Sequence, residues 1–94
     1  MNDTHIYVIA YDEAGPVKIG YSADPSRRVR QLQTGQANKL VLYYSQDVSR
    51  DEARKIEKMI HETNGYLRGR GEWFNMSVED AIVEVKHGLM SASC

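Results

Sequence analysis

Glu57 lies on a stretch of helical periodicity, beside the apolar stripe of Ala53, Ile56 and Ile60 rather than opposite it. A carboxylate at the edge of a buried face needs a partner, a hydrogen-bond network or a cation. His61 follows one helical turn later on the same face, so the two side chains can meet. A hard oxygen and an imidazole together make half of a metal site. The plainer alternative is a Glu–His helix pair at a solvent edge. Tyr7 and Lys18 fall on two stretches that read as neighbouring strands. A phenol and an ammonium on one face could bind or activate a group near a phosphate. The alternatives are a half-buried strand tyrosine and a lysine whose stem covers apolar surface.

Charge distribution is more informative than its sum. Twelve Lys+Arg against thirteen Asp+Glu give a formal charge of −1, which excludes binding of nucleic acid by bulk charge but not by a local patch. No acid occurs between Asp24 and Asp47, and Arg27, Arg28, Arg30 and Lys39 fall inside that window. Arg68 and Arg70 sit between glycines in a second basic stretch. Arginines on one short helix plus an Arg-Gly loop could straddle a phosphate backbone, or simply dress a solvated face. His5, His87 and Cys94 form no constellation, and no Ser-His-Asp, Cys-His or CxxC arrangement occurs.

The elements that must position these groups follow from pattern. His5–Tyr11 alternates β-branched and aromatic residues and predicts a strand, with Ile6, Val8 and Ala10 on one face and Tyr7, Ile9 and Tyr11 on the other. Val17–Tyr21 predicts its antiparallel neighbour, with Lys18 and Gly20 sharing a face. Gly20 within a strand marks a close backbone approach. Asp24-Pro25 starts a helix to Thr34 with Val29 and Leu32 inward. Lys39–Ser45 predicts a third strand. Ser49 and Glu52 form a capping box for a helix of about Arg50–Thr63. After Glu72-Trp73-Phe74, whose two rings are expected to pin the last helix to the sheet, Ser77 and Asp80 open a third helix. Val78, Ile82, Val85 and Leu89 form its apolar stripe, and Gly88 is a candidate stop. The expectation is a single α+β domain with a small, mainly antiparallel sheet of three strands and about three helices, in the order β-β-α-β-α-α. Its core spans about residues 5–88, and residues 89–94 are expected to fray.

Four segments in this order resemble the GIY-YIG nuclease superfamily. They are Ile6-Tyr7, Lys18-Ile19-Gly20, an arginine eight residues after that glycine (Arg28), and a helix carrying Ala53 and Glu57. The chain is most similar to an often phage-encoded branch. That branch has K-I-G-x-S (Lys18–Ser22), R-x-x-Q-L-Q-T-G (Arg28–Gly35), E-x-x-I-H (Glu57–His61) and G-E-W-F (Gly71–Phe74). The resemblance implies a three-stranded antiparallel sheet flanked by helices and metal-dependent hydrolysis of DNA phosphodiester bonds. It also implies a catalytic set of Tyr7, Lys18, Arg28 and Glu57. Glu57 would ligate one divalent cation, Mg2+ or Mn2+, Arg28 would hold the phosphate, and Tyr7 would position or deprotonate water. Three features depart from the superfamily. His5 precedes Ile6-Tyr7 where a glycine is usual, Lys18 replaces the tyrosine of the second motif, and no asparagine falls convincingly at the later position. Lys18 is therefore expected to bind phosphate, with Tyr7 or Tyr21 supplying a hydroxyl and His61 in support. Arg27, Arg30, Lys39, Arg68 and Arg70 would bind nucleic acid.

Length and composition set the remaining bounds. The 94 residues are 41% hydrophobic and 27% charged, which fits one globular domain. One cysteine excludes an intrachain disulfide and a multi-cysteine zinc site. Apolar runs of about four residues fall far short of the roughly 18–20 that span a bilayer. No signal-peptide pattern opens the chain, so a cytoplasmic protein with no membrane association is expected. DNA is the expected partner, and specificity would come from this domain, a homodimer or a partner chain. The competing readings are a nucleic-acid-binding module without cleavage on the same fold, and a protein-interaction domain.

Overall fold

The computed structural model describes residues 3–65 and 73–92. Two strands, β1 (Thr4–Ala10) and β2 (Val17–Ser22), lead into α1 (Pro25–Gln33) and then β3 (Val41–Val48). Next come α2 (Arg50–Thr63), β4 (Trp73–Phe74) and α3 (Val78–Ala92). The sheet is antiparallel throughout, in the order β3-β1-β2-β4.

The α+β class agrees with the sequence expectation, but the sheet has four strands rather than three. The added strand pairs Phe74 with Val17 and Trp73 with Lys18. Two residues are too few to show the period-2 alternation by which a strand is read from sequence.

The alternation of β1 sorts the core into two layers. Ile6, Val8 and Ala10, with Val17 and Ile19 of β2, pack against Ala53, Ile56 and Ile60 of α2 and Ala81 and Val85 of α3. Tyr7 and Ile9 face the other way, onto Leu40 and the half-buried Val29 and Leu32 of α1. Helix α1 therefore covers one face of the sheet, and α2 with α3 covers the other.

Local chemistry fixes the element ends. The Asp24 carboxylate accepts from the Arg27 N–H at 3.1 Å and caps α1. Ser49 Oγ accepts from the Glu52 N–H at 3.1 Å, and Glu52 Oε1 accepts from the Ser49 N–H at 3.3 Å, which completes the expected capping box. Strand β3 starts later than expected. Gln33 donates to the Asn38 carbonyl at 2.8 Å and accepts from the Leu40 N–H at 2.7 Å. Backbone groups that would have joined the sheet are thus satisfied by a side chain.

Two other expectations are corrected. Gly88 does not stop α3, which runs on to Ala92. It lies against α2 instead, where an added Cβ would come within 2.7 Å of Ile56 Cγ2. Trp73 and Phe74 do not act together on the last helix. Adjacent strand residues point to opposite faces, so Phe74 is buried with α2 and α3 while Trp73 stacks on Tyr11 with centroids 5.7 Å apart and rings 1° from parallel.

Candidate functional site

Tyr7 and Gly20 are directly paired across β1 and β2. A Cβ at Gly20 would lie 2.6 Å from the Tyr7 hydroxyl oxygen and 2.8 Å from Cζ. Only a glycine lets the phenol lie across β2 at this level, and Tyr7 is 2% exposed. Tyr21, the next residue, turns to the opposite face and packs half-buried against the α2 and α3 layer.

Among the described residues β4 pairs with Val17 and Lys18, and Gly20 and Tyr21 follow on β2. Arg28 approaches from α1 on one side and Glu57 from α2 on the other. Tyr7, Gly20, Tyr21, Arg28 and Glu57 together line one open cavity of about 300 Å3. Five residues from four elements, spread over most of the chain, thus meet in one place.

This lining carries two phenols, one guanidinium and one carboxylate. Arg28 presents a planar fork of donors suited to a phosphate. Among the described residues neither Arg28 nor its neighbours Arg27 and Arg30 engage a carboxylate. Among the described residues Glu57 is the only acid lining the cavity. A carboxylate beside phenols offers oxygen ligands, the kind that suits Mg2+ or Mn2+ rather than zinc. No group of three or more His, Cys, Asp or Glu side chains converges among the described residues. Any such cation would therefore complete its shell with water and phosphate oxygens, as Mg2+ commonly does.

Other residues singled out from sequence lie elsewhere. Lys18 shares a strand face with Gly20 but does not line the cavity. It is 7% exposed, and its Nζ lies 6.0 Å from the Trp73 ring centroid, at the outer reach of a cation–π contact. His61 also stays out of the lining and packs edge-to-face on Phe74 with centroids 4.9 Å apart. Arg30 and Lys39 are exposed and line no part of it. Arg68, Arg70 and Glu72 lie outside the described residues. Arg27 lines a second cavity of about 200 Å3 with Ser22, Ala23, Asp24, Arg28 and Gln31. Sequence reading placed Ser22 and Gln31 in the K-I-G-x-S and R-x-x-Q-L-Q-T-G segments but gave them no role. Their signal was the serine two residues after Gly20 and a glutamine one helical turn beyond Arg27 and Arg28.

Among the described residues, no helix is long and apolar enough to cross a membrane. No curated protein and no solved structure matches the chain. One family model does, from β1 into α3 over residues 4–87. It describes a domain found in phage-associated nuclease-like proteins. The match covers nearly the whole chain and contains every residue of the cavity, so this protein belongs to the T5orf172 domain family.

Proposed function

We propose that this domain hydrolyses DNA phosphodiester bonds with the help of one divalent cation held by Glu57. One observation carries the reading: Tyr7, Tyr21, Arg28 and Glu57 line a single open cavity. The family, found in nuclease-like proteins, is consistent with a nuclease-like or DNA-binding domain.

In this reading Arg28 binds a non-bridging oxygen of the scissile phosphate and offsets the negative charge that grows during attack. Tyr7, fixed by its packing over Gly20, holds the attacking water in line by its hydroxyl. Tyr21, on the far side of β2, donates to a second phosphate oxygen. Glu57 supplies the one carboxylate ligand, and a bound Mg2+ or Mn2+ would contribute Lewis-acid polarisation of the phosphate. One water is consumed. Its oxygen bonds to phosphorus and gives up a proton to solvent, one P–O bond to a sugar breaks, and the leaving oxygen takes up a proton from solvent.

The test is incubation with supercoiled plasmid and Mg2+ or Mn2+, beside Glu57→Ala and Arg28→Ala. Nicked and linear DNA should form with the unaltered chain. Each substitution should lower the rate by at least about a hundredfold, the scale on which one electrostatic contact to a transition state acts. A cleavage rate equal to that of Glu57→Ala would refute the reading.

One observation favours a second reading. Lys18, at the position of the second motif's tyrosine, does not line the cavity. A module that binds DNA through the same arginines without cutting it would show salt-dependent affinity in the same preparation and no metal-dependent product.

A further inference from the structure

The two cavities around Arg28 meet at that residue, which lines both. On one side lies the candidate cleavage site. On the other is a recess of about 200 Å3 bounded by Ser22, Ala23, Asp24, Arg27 and Gln31. We infer that this recess is a subsite for the phosphate next to the scissile one. The strand would thus run from Tyr7 and Glu57 across Arg28 onto Ser22, Arg27 and Gln31. This rests on the reading that the first cavity takes a phosphodiester of DNA, and it assigns the path of the strand beyond the scissile phosphate.

The side chains suit that ligand. Arg27 and Arg28 are adjacent cations, and among the described residues neither engages a carboxylate. Ser22 Oγ already accepts from the Asp24 N–H at 3.0 Å, so its own hydrogen remains available to donate to an anion. Gln31 adds an amide donor. Asp24 defines what the recess is not. Its carboxylate occupies the Arg27 N–H at 3.1 Å, so that backbone donor is not open to an anion, and affinity is assigned to the side chains. The carboxylate also repels a phosphate from the helix end and favours a position toward the two guanidinium groups. Arg30 and Lys39 line neither cavity, so the inferred path separates Arg27 from the other basic residues.

Neutral-backbone interference tests the path. The full chain is titrated in EDTA, where a metal-dependent enzyme cannot cut. The probe is a short DNA duplex with one methylphosphonate linkage, moved one position at a time. The expected pattern for the unaltered chain is a loss of about tenfold in affinity at two adjacent linkages, one held by Arg28 and one by Arg27. Arg27→Gln should lose sensitivity at the second linkage, keep it at the first, and lower the slope of log K against log[salt] by about 0.9. Arg30→Gln should keep both sensitive positions. Identical patterns for Arg27→Gln and Arg30→Gln would overturn the subsite, as would the absence of a second sensitive linkage. The pattern without cleavage of plasmid would keep the subsite and remove the nuclease reading. Cleavage without the pattern would do the reverse, and the absence of both affinity for DNA and cleavage of plasmid would remove the two together.

Discussion

The glycine that lets Tyr7 lie across β2 gives the sharpest test of how the site is held. A methyl at position 20 would meet the Tyr7 hydroxyl oxygen at 2.6 Å and Cζ at 2.8 Å, whereas ordinary contact begins at 3.4 Å. The phenol must therefore retreat by about 0.8 Å, or the strands must part by a similar amount. Tyr7 is 2% exposed and Val8 and Ile9 are fully buried, so neither movement is free. Overpacking of this kind costs about 2–3 kcal/mol. Replacing glycine returns about 0.5–1 kcal/mol through the unfolded chain. The net loss for Gly20→Ala is then about 1–2.5 kcal/mol, which lowers the melting temperature of a domain this size by about 4–20 °C. The assay is a double-mutant cycle of Gly20→Ala and Tyr7→Val, followed by thermal melting. With the phenol gone, the methyl has room, so Gly20→Ala should cost nothing or stabilise slightly in the Tyr7→Val background. Equal costs in both backgrounds would refute the argument, because the two residues would then not be in conflict. Gly20→Ala should also slow cleavage about tenfold to a hundredfold, since a shift near 1 Å in a positioning group has effects on that scale.

Three further substitutions probe the elements behind the site. Gly88→Ala gains about 1 kcal/mol of helix propensity but puts a methyl 2.7 Å from Ile56 Cγ2 and 3.1 Å from Met59 Cε. Ile56 is 1% exposed, so a net loss of about 1 kcal/mol is expected in chemical denaturation, and a gain in stability would contradict the close packing. Ser49→Ala removes the cap from the helix that carries Glu57 and should cost about 1 kcal/mol, or about 4–8 °C in melting temperature. An unchanged melting temperature would show that the capping box contributes nothing. Gln33→Ala breaks two bonds to the α1–β3 connection and should cost about 1–2 kcal/mol. Faster hydrogen exchange at the Leu40 amide, with β1 amides unchanged, would confirm that the loss is local.

The elements legible in the sequence were those whose evidence is local. The Asp24-Pro25 start of α1, the Ser49–Glu52 capping box and the β1 alternation each depend on residues within a few positions of one another, and each is present in the fold. What was missed depends on partners distant in sequence. Gly88 resembles a helix stop when α3 is read alone, and only the approach of Ile56 from α2 explains it. Trp73 and Phe74 invite a shared role because they are adjacent. Pairing with β2 makes them a strand, and a strand sends neighbours to opposite faces. Glu57 and His61 share a helix face one turn apart, yet the first reaches the cavity and the second meets Phe74. Spacing along a helix gives direction around its axis, but not which neighbour lies at each level.

That Tyr7 and Glu57 line one cavity is the least local feature. Tyr7 faces α1, whereas α2 packs on the opposite layer. Side-chain alternation alone would keep the two apart by the thickness of the sheet. The same alternation sends Gly20 and Tyr21 to opposite faces, so one dipeptide contributes to both sides. Gly20 lets the phenol reach across the strand, and Tyr21 carries the lining around to α2. Arg28 and Glu57 then enter from opposite layers and contribute to the same cavity. Pairing with β4 at Val17 and Lys18 anchors β2 where Lys18 lies near Trp73, two residues before the Gly20–Tyr21 step at which the two layers meet.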